Sequence, residues 1–354
     1  MAGSGSRRPV AMAQVARVAG VSVSTVSHVV NRTRAVAPET ERAVLAAIAE
    51  TGYVPDSVVR SMRQKGTRTV GLALSAMSNM YFGDLVHNIE RTLAHAGYSL
   101  LLVDTHDNVV DELRAVADLL TRRVDAILLA PSADASGAIS HAEQQGVPVV
   151  LIDRGSSAHL DQVFAESREP TATLVDHLAE HGHERIAMIG GRPGLSTTEE
   201  RIKGYREGLR RNGIRFNKDL LVSGDSTDEG ALAAFRTLMA LPERPTGLVV
   251  GNNVMTLSVM RAARDAGIAV PGDLALVGFD DFPWADLFHP GLTVIAQPTD
   301  AMGREAANMV LTRLADPSRP VRRVVLKPSF RHRESCGCPL EETSAAPSYA
   351  AGQK

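Results

Sequence analysis

Cysteine is nearly absent: Cys336 and Cys338 are the only two in 354 residues. A disulfide framework is excluded, and a reducing cytoplasm is the expected compartment. No stretch approaches the roughly 18 apolar residues of a membrane-spanning helix. The opening residues carry Arg7, Arg8 and Pro9 with no apolar core after them, so no secretory signal is expected. Catalytic signatures are also missing. There is no Gly-x-Ser-x-Gly elbow, no Walker phosphate loop and no paired catalytic groups. Gly190-Gly191-Arg192-Pro193-Gly194 lacks the spacing of a dinucleotide site. His181-Gly182-His183 reads as a helix end, and the two cysteines, one residue apart, have no further His or Cys evident beside them. Neither an enzyme, a metal nor a cofactor is therefore expected.

The length suits two or more domains, and 44% hydrophobic residues is ordinary for a globular chain. The net charge of -2 hides an asymmetry. The first 66 residues hold nine basic and four acidic side chains, a net +5, and the remaining 29 basic and 36 acidic give −7. A basic end on an acidic body suggests that this end meets a polyanion.

That basic end reads as short helices. Met12–Val18 has helical apolar spacing, Gly20 stops it, and Ser22 can cap a second helix running to Asn31. A third opens at Pro38, with Glu39 and Glu41 in its first turn. Two helices about a tight glycine turn make a helix-turn-helix pattern. The second helix would then offer Val23, Ser24 and Thr25, with Ser27, His28 and Asn31 further on, to base edges or phosphates. Any three-helix bundle shares this spacing. Beyond Lys65-Gly66-Thr67 the pattern changes to short apolar runs (Thr69–Leu74, Tyr98–Val103, Ala126–Leu129, Val147–Ile152) alternating with helical ones. The alternation restarts near residue 171 and runs through Arg185–Ile189, Gly247–Val250 and Leu274–Val277. Two doubly wound parallel sheets are predicted, with a ligand cleft at the carboxyl ends of their strands. Val321–Leu326 is expected as a late strand, and the tail at 339–354 as disordered.

The run Gln14 to Asn31, together with Val36-Ala37-Pro38-Glu39-Thr40 and Gly52-Tyr53-Val54-Pro55, resembles the headpiece of the lactose/galactose repressor (LacI/GalR) family. Gly278-Phe279-Asp280-Asp281 and Pro290 to Pro298 extend the resemblance across roughly residues 10–335. It implies an all-α helix-turn-helix headpiece at 10–54, a hinge helix and linker at 55–67, and a periplasmic-binding-protein-like α/β body at 68–335. One half of the body is expected at about 68–164 plus 298–323, the other at about 165–295 plus 324–335. It also implies a homodimer on near-palindromic operator DNA. Met62 stands where the family usually has a leucine wedged into the minor groove, though it could simply pack the hinge pair. Arg60 and Arg63 would lie near phosphates or only solubilise the linker.

In the body the resemblance points to Tyr81, Phe82, Asp153, Arg201, Asn252 and Asp280 as effector contacts, and to Trp284 for stacking on a sugar ring. Competing readings are an ion pair of Arg201 with Glu199 or Glu200, a turn-capping Asp280 and a core Trp284. The chain departs from the family pattern at Ala11, Gln14 and His28 in the headpiece, and at Asn253 and Glu166-Ser167 near the cleft. The expected function is a transcriptional regulator, a repressor, controlled by a sugar, with a sugar acid or nucleoside-like ligand as second choice. The other class considered is a sugar-binding protein with no DNA role.

Overall fold

The computed structural model describes residues 12–31, 34–51, 66–75 and 79–338. They divide into two units, one ending at Thr67 and one beginning at Arg68. The hinge, with Arg60, Met62 and Arg63, and the tail from 339 lie outside the described residues.

The first unit holds α1 (Met12–Ala19), α2 (Val23–Asn31) and α3 (Pro38–Thr51). Val15, Ala16, Val26, Val44 and Ala47 form its buried core. Gly20 closes α1 at φ +66°, a left-handed conformation open to a residue without Cβ. The turn is held by the Val21 amide donating to the Ala16 carbonyl at 3.0 Å. Ser22 then caps α2, its Oγ accepting from the Thr25 amide at 3.1 Å.

In the second unit the chain runs β1 (Thr69–Leu74), α4 (Met80–His95), β2 (Ser99–Asp104), α5 (Val109–Thr121), β3 (Ala126–Leu129), α6 (Ser136–Gln144), β4 (Val149–Asp153) and β5 (Asp161–Ala165). It continues through α7 (Arg168–Glu180), β6 (Ile186–Gly190), α8 (Ser196–Arg211), β7 (Leu221–Ser223), α9 (Asp228–Met239), β8 (Gly247–Val250), α10 (Asn253–Asp265), β9 (Ala275–Phe279) and β10 (Thr293–Ala296). α11 (Thr299–Ala315), β11 (Arg323–Leu326) and β12 (Ser329–Arg331) complete it. One sheet has the order β11-β5-β4-β3-β1-β2 and the other β12-β10-β9-β8-β6-β7. Every pairing is parallel except β10 with β12. Helices cover both faces of each sheet, so the central strands are buried throughout, which is why they read as unbroken apolar runs.

The chain passes between the two halves three times: after β5, after β10 and after β11. The last crossing corrects the expected boundary at 323/324. β11 pairs with β5 in the first sheet, in the register Arg323↔Gln162 to Leu326↔Ala165, so the second half resumes only after Leu326. The Asp161 carboxylate holds this edge by accepting from the Arg322 amide at 2.7 Å and from Arg313 Nε at 3.0 Å. β5, β7, β10 and β12 were not anticipated individually. β7 and β12 are three-residue edge strands, and β5 begins with the polar pair Asp161-Gln162.

α7 and α8 meet along Gly204 and Gly208. A Cβ at 208 would stand 2.6 Å from Val175 Cβ and 2.9 Å from the Ala172 carbonyl oxygen. These are backbone and branched-carbon neighbours that cannot swing aside, so Gly208→Ala should destabilise the body by about 1–3 kcal/mol through overpacking. Urea denaturation of the full chain checks this; an unchanged midpoint would show that the helices separate without cost.

Candidate ligand cleft and nucleic-acid interface

Parallel strands point their carboxyl ends the same way, so the loops after β1, β2, β4, β6, β8 and β9 converge on one cleft between the halves. Its atom-free space, partly open to solvent, is about 570 Å³. Tyr81, Phe82, Asp153, Arg201, Asn252 and Asp280 all line it, so six of the seven expected effector residues are brought together. Trp284 is not among the lining residues. It is 43% exposed and edge-on to Phe282 at 6.0 Å, which corrects the expected stacking role. Sequence reasoning missed Asp107, Arg154, Thr198 and Gln297, which also line the cleft. Asp107 could have been found, since it lies just beyond the carboxyl end of a parallel strand.

Buried charge dominates the lining. The Tyr81 hydroxyl donates to Asp153 Oδ1 at 2.7 Å and stands 3.4 Å from Gln297 Oε1. Gln297 Nε2 donates to Asp280 Oδ1 at 2.6 Å. This polar line joins the two halves through the crossover that carries Gln297. Arg201 is buried. Its Nη1 donates to the Gly251 carbonyl, its Nη2 is 3.8 Å from Asp280 Oδ1, and its guanidinium lies 3.7 Å over the Phe279 ring. The alternative pairing with Glu199 or Glu200 is not the one adopted. Arg154 pairs with Asp107 at 2.5 Å and with Asp153 at 3.5 Å. Asn252 caps α10, its Oδ1 accepting from the Met255 amide at 2.9 Å. Asp153 and Asp280 both have positive φ, 65° and 75°, which turns the chain sharply at the ends of β4 and β9. Arg192, after β6, reaches across to the other half and donates to the His106 and Asp107 carbonyls, both at 3.2 Å.

Burial raises the carboxyl pKa of Asp280, opposed by Arg201 and by Gln297. It raises that of Asp153 too, against Arg154 and the Tyr81 hydroxyl, and it pushes Tyr81 well above the usual phenol value. The lining therefore offers carboxyl oxygens that can accept hydrogen bonds from a ligand and guanidinium groups that can donate them.

On the other unit, Val23 is 47% exposed and Ser24 is exposed at the start of α2; Thr25, Ser27 and His28 are half-exposed, while Val26 faces the core. The Ser22 hydroxyl lies 2.7 Å from Ser24 Oγ and 2.8 Å from Thr25 Oγ1, so these hydroxyls form one polar cluster at the helix start. The positive end of a helix dipole beside such hydroxyls suits phosphate. Asn31 ends α2, and its side chain lies outside the described residues.

Arg201→Ala leaves Asp280 buried without its cation and should cost about 3–5 kcal/mol at neutral pH. The folded-state pKa of Asp280, already raised, rises further, so the fold then favours the protonated acid. The deficit should shrink in mildly acidic buffer and grow as pH rises through that pKa. Thermal unfolding of both proteins across this range checks it; a deficit independent of pH would remove Asp280 as the partner.

Comparison with known proteins agrees with this anatomy. Residues 11–56 match the model "Bacterial regulatory proteins, lacI family", and 175–336 match "Periplasmic binding protein-like domain". The chain is 32% identical over 323 residues to the HTH-type transcriptional repressor PurR of Photobacterium profundum, covering 91% of this chain and 97% of that protein. Among solved structures it is similar to a transcriptional regulator CelR–cellobiose complex (30% identity, TM-score 0.70, 93% of this chain and 100% of that one). It is also similar to a lac repressor dimer bound to operator and the anti-inducer ONPF (26% identity, TM-score 0.79, 93% and 99%). With a headpiece that reads DNA and a two-lobed ligand-binding body, the chain belongs to the LacI family of bacterial DNA-binding transcriptional regulators.

Proposed function

We propose that this regulator is a cytoplasmic homodimeric repressor whose operator affinity is set by a neutral sugar bound in the cleft. The observation that carries the ligand class is the charge of the lining. Asp107, Asp153 and Asp280 face only Arg154 and Arg201, so the site has a formal excess of one negative charge. An anionic sugar acid would enter against that charge in a poorly screened site. A neutral polyol supplies hydroxyl donors to the carboxylates and acceptors to Arg201. The cellobiose bound by the similar CelR protein supports a sugar over a nucleoside-like ligand. The family is one of transcriptional regulators, not of enzymes, and the headpiece match sets aside a binding protein with no DNA role.

Two headpieces read the halves of a near-palindromic operator, with α2 in the major groove, as in other helix-turn-helix dimers. The lac repressor dimer on its operator supports that arrangement. In this reading Val23 meets a thymine methyl, Ser24 and His28 meet base edges, and Thr25, Ser27 and Asn31 lie along the phosphates. Met62 of each hinge wedges into the minor groove at the operator centre between Arg60 and Arg63. Sugar binding resets the two lobes about the Gln297 crossover and changes operator affinity by roughly 5–150-fold.

The test is selection of bound fragments from source genomic DNA by the full chain, followed by titration of the recovered site. A palindrome should emerge, and its affinity should respond to a neutral mono- or disaccharide but not to sugar acids or nucleosides. A response confined to sugar acids or nucleosides refutes the ligand class, and no recovered motif with or without pooled sugars refutes the operator reading. Met62→Ala should lower operator affinity about tenfold or more, that is by at least about 1.4 kcal/mol, and leave non-specific binding unchanged. Equal loss on random DNA would remove the wedge.

A further inference from the structure

We infer that His177, His332, Cys336 and Cys338 form a tetrahedral site for a thiophilic divalent cation, zinc being the ion that fits, which staples the end of the body onto α7. The four ligand atoms, one from each residue, all lie within 4.8 Å of one another. Cys338 Sγ is already 3.2 Å from His177 Nε2. A tetrahedron with arms of about 2.0–2.3 Å has edges of roughly 3.3–3.8 Å, so closing the site needs movements of about 1 Å or less from its side chains.

The donor set is the two-sulfur, two-imidazole combination that selects zinc over hard cations. Both cysteines are buried and free of disulfide. His332 Nε2 is buried and has no hydrogen-bond partner among the described residues, an unusual state for an imidazole nitrogen beside three other soft or borderline donors. Charge also balances. Binding one M²⁺ releases the two thiol protons to solvent, and two thiolates with two neutral imidazoles leave a site of zero net charge, suited to partial burial.

The rings around the site are placed as a supporting shell. His181 stands 4.7 Å from His177, and Phe330 5.0 Å from it, edge-on. The consequence is mechanical. Residues 329–338 run along the second sheet, and Arg333 in that run pairs both nitrogens with Asp281 at 2.9 and 2.8 Å. Asp281 is the neighbour of the cleft residue Asp280. An ion at this cluster therefore fixes the segment that steadies one wall of the cleft. Sequence reasoning set a metal aside because the cysteines stand alone; the fold brings His177 to them from more than 150 positions away, and His332 was overlooked four residues upstream.

The test uses the untagged full chain, reduced and freed of metal by a chelator. Co²⁺ should bind with one equivalent, giving the intense visible bands of a tetrahedral site and thiolate-to-cobalt charge transfer, and Zn²⁺ should bleach both. His332→Ala should lower Zn²⁺ affinity by about 100-fold or more, at least the upper end of what losing a supporting partner costs. The Cys336→Ser, Cys338→Ser double variant should lose the charge-transfer band while its circular dichroism stays native. Zinc should raise the thermal midpoint of the parent and not of the variants. A natively folded parent that shows no charge-transfer band, or variants that bind zinc as tightly as the parent, overturns the site. So does a Cys336–Cys338 disulfide that forms ahead of metal under mildly reducing conditions.

Discussion

Three carboxylates and two guanidiniums share one cleft between two apolar sheets, and the body is arranged around keeping them compensated. An uncompensated charge there costs several kcal/mol, which no single surface contact can offset. Each charge therefore has partners held by backbone or by a second side chain. Arg201 leans on the Phe279 ring, the Gly251 carbonyl and Asp280. Arg154 spans Asp107 and Asp153. The Tyr81 and Gln297 side chains carry the polar line from one lobe to the other. Because Asp153 and Asp280 sit in different lobes, a ligand that engages both, or that displaces Gln297 from Asp280, changes the relation of the lobes. That is the physical basis on which occupancy of the cleft can reach the rest of the molecule.

The sheets make this arrangement possible. Parallel order aims six loops at one place, and the chain crosses between the lobes three times. Packing within each lobe is dense, with Gly204 and Gly208 letting α7 and α8 touch at backbone distance. Rigid lobes joined by polar crossings are the construction expected of a two-state switch: the lobes resist deformation while the contacts between them can be exchanged for contacts with a ligand.

Much of this was legible in residue order. Unbroken apolar strands betray a sheet covered on both faces, and Gly20 and Ser22 mark the turn between α1 and α2 by their local chemistry. Tyr81, Asp153, Arg201, Asn252 and Asp280 were legible through family resemblance, because each follows a recognisable strand or opens a recognisable helix. Short edge strands such as β7 and β12 were not, since three residues carry too little periodicity. The end of the first lobe was misplaced because β11 is assigned by its partner β5, not by its own composition. Trp284 was drawn to the cleft by its proximity in sequence to Asp280, yet the turn after β9 carries it outward.

The helix-turn-helix unit and the two doubly wound lobes are written in the order of the residues, because they depend on contacts within a turn and on apolar runs alternating with helical periodicity, which are local; most of the residues that meet in the cleft were reached only through the family resemblance. Packing in three dimensions sets which carboxylate faces which guanidinium, that Arg192 bonds across to His106 and Asp107, and that His177 joins His332, Cys336 and Cys338. Those juxtapositions join residues up to about 160 positions apart, and no local rule of backbone or side-chain preference encodes them; only the packing of one helix or loop against another does.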